Sequence, residues 1–126
     1  VEQAPAGIYV VDSHLRIQQV NPTALPVFGD VHPLIGRDLT EIIHIIWPKR
    51  VANQLIARFR HTLKTGESYL SRSFSERRQD SGIKEYYEWQ LQRMILPDGE
   101  HRVVCFFDNV TDRKRIEKAQ QRKTPR

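Results

Sequence analysis

The sequence predicts an α+β fold: a five-stranded antiparallel sheet with helices on one face, in the order β-β-α-α-α-β-β-β, and a further helix leading out of the last strand. Three observations predict it. Near both ends of the 126 residues, apolar residues alternate with polar ones or run on through β-branched and aromatic types, as strands require. Turn residues separate neighbouring runs, so those runs pair as antiparallel hairpins. The middle of the chain instead repeats its apolar residues at helical spacing, which groups the helices on one face of the sheet.

Taken in order, Ala6-Gly7-Ile8-Tyr9-Val10-Val11-Asp12 is the first β-rich run, Asp12-Ser13-His14 supplies a turn, and Leu15-Arg16-Ile17-Gln18-Gln19-Val20 completes the hairpin. Asn21-Pro22 starts a helix, with Asn as the cap and Pro at the first helical position, where its missing N–H has no partner to lose. Pro26 and Gly29 keep that helix short, and residues 30–38 form a connector. Leu39, Ile42, Ile43 and Ile46 mark a second helix, with Thr40-Glu41 as its start and Pro48 ending it or beginning the next. Over residues 48–64, Ala52, Leu55, Ile56, Phe59 and Leu63 form one stripe, with Lys49, Arg50, Asn53, Arg60 and Lys64 largely away from it. This longest helix is stable only when that stripe packs on something. Gly66 is its left-handed cap.

Residues 69–77 read as a polar edge strand. After the Asp80-Ser81-Gly82 turn, Tyr87, Trp89, Leu91 and Ile95 alternate with Glu88, Gln90 and Gln92, the clearest period of two in the chain. Pro97-Asp98-Gly99 turns the chain again. Val103-Val104-Cys105-Phe106-Phe107 is apolar throughout, which predicts a central strand over residues 103–110 covered on both faces. Thr111 then caps a helix, Asp112 suits its positive end, and the following Arg, Lys, Glu, Ala and Gln favour it. Residues 1–111 are therefore the domain and 112–126 an exit helix or linker, frayed beyond Gln120.

Composition excludes several functions. The net charge of +5 lies wholly in residues 112–126, with seven basic and two acidic residues; the rest of the chain is balanced and has no phosphate-binding footprint, so nucleic acid is not an expected partner. Cys105 is the single cysteine, which excludes a disulfide framework or thiol-metal cluster and suits a reducing, cytoplasmic setting. His14, His32, His44, His61 and His101 lack metal-ligand spacing. No run approaches the ~20 apolar residues of a membrane span, which leaves a membrane-anchored parent protein open. No catalytic constellation is visible: Asp12, Asp80 and Asp98 read as turn formers.

Particular residues within this order resemble the PAS domain, a sensory module of bacterial signalling proteins. They are Gly7-Ile8-Tyr9-Val10-Val11-Asp12 with Arg16-Ile17 and Asn21-Pro22, then Leu34-Ile35-Gly36-Arg37-Asp38-Leu39, Thr65-Gly66-Glu67, Asp98-Gly99, and Asp108-Asn109-Val110-Thr111-Asp112-Arg113-Lys114. The resemblance runs from about residue 4 to residue 117. It implies a non-catalytic sensor and dimerisation module of a multidomain protein, foremost a sensor histidine kinase, whose exit helix carries the signal to an effector. It further implies a homodimer through the N-terminal region, the sheet face or the exit helix. The output junction falls on Asp108, Asn109, Thr111 and Arg113. Here the sequence departs from the family, which usually has Asp where Asn109 stands and uses that carboxylate to fasten the exit helix. Either Asp108 takes over the ionic contact, with Arg113, or the junction is looser.

The resemblance leaves the ligand open. Flavin-adduct relatives carry a cysteine after Gly-Arg, where this chain has Asp38-Leu39-Thr40. Haem relatives use an inward histidine on the long helix, whereas His61 lies about 200° from Phe59 and faces solvent. Coumarate relatives need a loop cysteine, whereas Cys105 is in a strand. Leu55, Phe59, Tyr87, Trp89 and Leu91 are candidates to line a pocket between helices and sheet, and Arg93, sharing the parity of Trp89, is a candidate partner for a carboxylate ligand. The bland alternative is that these aromatics fill the core of a purely structural dimeriser. A rival from another class is a small cone-shaped α+β enzyme using a buried carboxylate and a tyrosine.

Overall fold

The computed structural model describes residues 6–123. Strands β1 (Gly7–Val11) and β2 (Ile17–Val20) form the first hairpin, and a 3₁₀ helix (Pro22–Phe28) follows. Helices α1 (Leu39–Ile46) and α2 (Lys49–Thr65) come next, then strands β3 (Tyr69–Arg77), β4 (Lys84–Ile95) and β5 (His101–Asn109), and finally helix α3 (Thr111–Lys123). The sheet order is β2-β1-β5-β4-β3 with every pairing antiparallel, so β5 is central and β3 is an edge, as the polarity of each predicts.

Local chemistry explains the boundaries. Asn21 accepts from the Ala24 amide at 3.0 Å and caps the first helix, which stays 3₁₀ because Pro26 inside it donates no hydrogen bond. Helix α1 starts one residue earlier than Thr40-Glu41 suggests, because the Asp38 carboxylate accepts from the Thr40 amide at 2.9 Å and from its hydroxyl at 2.8 Å. Gly66 ends α2 in the left-handed region, φ 79°, as expected. Helix α3 continues past Gln120 to Lys123; residues 124–126 and 1–5 lie outside the described part.

The core lies between the inner sheet face and the helices. Tyr9 and Val11 of β1, Val103, Cys105 and Phe107 of β5, and Tyr87, Trp89 and Leu91 of β4 meet Leu39, Ile42, Ala52, Ile56 and Phe59 of α1 and α2 there. Gly7 belongs to this packing: a Cβ on it would stand 2.5 Å from the Phe107 ring. Among the described residues no helix is long and apolar enough to cross a membrane.

Candidate functional site

A cavity of about 70 Å³ lies between the sheet and α1 and α2. Four of the six residues expected at a pocket line it: Leu55 and Phe59 from α2, Tyr87 and Trp89 from β4. Leu91 and Arg93 do not. Leu91 is fully buried beyond the cavity, and Arg93 donates from Nη1 to the Leu63 and Lys64 carbonyls at 3.3 and 3.4 Å. Each pair of residues along a strand advances ~6.6 Å, so Arg93 overshoots the cavity and meets the unpaired carbonyls that end α2. Alternation gave Arg93 the right face and the wrong height.

Tyr9, Trp47, Cys105 and Phe107 also line the cavity and were not among the expected residues. Tyr9 and Cys105 share the inward parity of their strands, which is the signal that locates them. Aromatic rings shape the space. Phe59 stacks between Tyr9 and Trp89, while Tyr87 meets Trp47 and Phe107 edge-on. The volume is below half of the ~150 Å³ that holds benzene and far below the ~300 Å³ of drug-sized sites. The space has room for only a small molecule unless the rings part, and no charged side chain lines its wall. Burial pushes the Cys105 thiol up to about 12, and burial together with Cys105 holds the Tyr9 phenol well above its usual range.

Behind Tyr87 lies a polar cluster that periodicity does not reveal. Arg78, 5% exposed, grips Asp80 with two bonds of 2.9 and 2.8 Å and reaches Glu85 at 3.3 Å. Glu85 accepts the Tyr87 hydroxyl proton at 2.7 Å. Burial and then that bond raise the Tyr87 phenol well above the ordinary tyrosine value. Asp80 is held below the usual carboxylate range by its bond from Arg78.

The junction between β5 and α3, where the sequence places the expected output residues, adjoins this cluster. Asn109 is the register partner of Tyr87. Its Oδ1 accepts from the Thr111 amide at 3.0 Å and from the Thr111 hydroxyl, and its Nδ2 donates to the Tyr87 hydroxyl at 3.5 Å. The Thr111 side chain does not cap α3. It is buried and accepts from the Tyr86 amide of β4 at 3.0 Å, tying the first residue of the helix to the sheet. Arg113 pairs with Glu88 of β4 at 2.8 Å; Asp108, the exposed register partner of Glu88, is not its carboxylate. Lys118 donates to the Tyr86 hydroxyl at 2.7 Å and lies over that ring. Helix α3 therefore rests on the outer sheet face, with Ile116 exposed.

The positions tested for familiar cofactors have other duties. Asp38, after Gly36-Arg37, is the α1 cap. His61 is exposed, with Nε2 2.6 Å from Glu67. Cys105 is sealed in the central strand. Among the described residues no three His, Cys, Asp or Glu gather as metal ligands.

A family model described as PAS fold matches residues 1–115. No curated protein sequence matches significantly. Among solved structures, the Vibrio cholerae VqmA dimer is similar with TM-score 0.67 and 18% identity over 87% of this chain and 48% of that one. The PAS domain of a Colwellia psychrerythraea protein gives TM-score 0.63 and 11% identity, covering 85% and 87% of the two chains. The PAS domain of nitrogen regulation protein NR(II) from Vibrio parahaemolyticus gives 0.59 and 14%, covering 82% and 88%. The chain spans about half the length of VqmA, and identities this low speak to the fold.

Proposed function

This chain belongs to the PAS fold family, and from that premise we propose that it is the sensory module of a larger signalling protein, foremost a sensor histidine kinase, reading a small neutral molecule in its cavity. Residues 1–111 hold the sensor, and residues 112–126 carry its output. The observation that carries this reading is the path of β5. Its Cys105 and Phe107 form cavity wall, and four residues after Phe107 the same strand has become α3, held to the sheet by Thr111, Arg113 and Lys118. A molecule that parts the aromatic wall acts directly on the strand that aims the helix. The similar VqmA has been solved bound to DPO, which supports a small ligand for a domain of this shape.

The module is proposed to dimerise. Ile8, Val104 and Phe106 form a half-buried apolar band on the outer sheet face beside α3, and Ile116 on α3 is unburied. Of the N-terminal region that is the other candidate contact, residues 1–5 lie outside the described part. The module itself is proposed to be non-catalytic and cytoplasmic. A second reading, a structural dimeriser with a filled core, is favoured by one observation, the modest 70 Å³ of the cavity.

Native mass spectrometry of freshly purified protein tests the two readings. A single small adduct, lost when Cys105→Leu fills the cavity, is the expected result. The bare polypeptide mass for both proteins would favour the structural reading.

A further inference from the structure

The contacts around Asn109 can be assigned donor by donor. The Thr111 backbone N–H only donates, so the Asn109 atom facing it at 3.0 Å is the carbonyl oxygen. The amide nitrogen is thereby turned toward the Tyr87 hydroxyl, 3.5 Å away. An N–H needs a lone pair there, and Tyr87 offers one because its single proton is already given to Glu85 at 2.7 Å. Glu85 is the acceptor of that bond, and it also accepts from Arg78 at 3.3 Å while Arg78 holds Asp80 with two further bonds. The chain of donors is complete from Arg78 to the start of α3, where the Thr111 hydroxyl also donates to Asn109 and accepts from the Tyr86 amide.

We propose that Asn109 is a positioning residue for the output helix, and that it must be an amide: it joins Tyr87 of the cavity wall to Thr111 of α3, a link that a carboxylate at this position breaks. The proposal rests on the sensory reading for its purpose, though not for its chemistry. A carboxylate keeps both bonds from Thr111, but it turns an oxygen toward a tyrosine oxygen whose proton is committed elsewhere. Two lone pairs then face each other, unless Tyr87 abandons Glu85 and leaves that carboxylate to Arg78 alone. Tyr87 is rigid between ring and hydroxyl, so a ligand that displaces its ring moves the atom on which Asn109 depends.

The test is hydrogen exchange at the first amides of α3 in the intact chain. In the wild-type background Asn109→Asp accelerates exchange at residues 111–114 by about 5- to 10-fold, the value of a lost hydrogen bond plus an unfavourable contact. In a Tyr87→Phe background, which removes the oxygen, the same substitution leaves exchange unchanged or slows it. Acceleration equal in both backgrounds, or slowing in the wild-type background, would overturn the proposal. Should Asn109→Asp fail to fold alone, recovery of the fold in the Tyr87→Phe double variant supports the same conflict, and failure of both contradicts it. Retention of a small molecule is read separately, so loss of the sensory reading would leave this result standing and the reverse is equally distinguishable.

Discussion

Cys105 lies buried on the central strand, and that burial raises its thiol from 9.0 to about 12. A group raised in the folded state gives stability that is complete below its unfolded value and lost as pH climbs toward the folded one. For this thiol the window is pH 9 to 12, and Tyr9 and Tyr87, raised in the same direction, add to the loss at its upper end. The urea midpoint of the wild type therefore falls between pH 8 and pH 10.5, and Cys105→Ala, though less stable at pH 8 for its cavity, falls less steeply; equal slopes would contradict the assignment. Parity along β5 made the inward position of Cys105 legible. Leu15 was not legible: it sits buried at φ 61°, in a region where a bulky residue is unexpected, because the Asp12 carboxylate fixes the turn by accepting from the His14 and Arg16 amides, each at 2.9 Å.

At the scale of elements, Arg78 fastens the β3–β4 hairpin to the cavity wall. Burial alone would lower this guanidinium, but Asp80 and Glu85 outweigh it and hold it above the ordinary arginine value. Replacing it with Met leaves two carboxylates facing each other beside Tyr87. The expected cost is about 2–3 kcal/mol in denaturant unfolding, below the ~3–5 kcal/mol of a fully buried pair because water reaches both carboxylates. A loss under ~0.5 kcal/mol, typical of exposed ion pairs, would show that the cluster does not hold the hairpin. Nothing in the sequence singled Arg78 out, since it follows a polar edge strand and has no apolar neighbours in period with it. The departure at Asn109 was legible as a departure, whereas its partner was not, because the pairing of Tyr87 with Asn109 depends on strand register. Exposed pairs such as Arg113–Glu88 hold α3 weakly, which suits the movement proposed for that helix.

For the whole molecule, the order of elements, the central place of β5 and the edge place of β3 followed from apolar runs, alternation and turn residues. Cavity size did not follow, because it depends on how Tyr9, Trp47, Phe59 and Trp89 interleave, and periodicity says which face a ring occupies but not how far it reaches. The sheet order has one consequence for the proposed function: β5 supplies cavity wall and leads into α3, so filling the wall should alter that helix without any ligand. Hydrogen exchange across α3 in Cys105→Leu against wild type, at equal concentration and pH, tests this most directly. A change of at least ~3-fold in α3 exchange, with β1 and β4 protected as before, is the predicted result. An α3 that exchanges identically while the filled cavity leaves the fold intact would contradict the coupling.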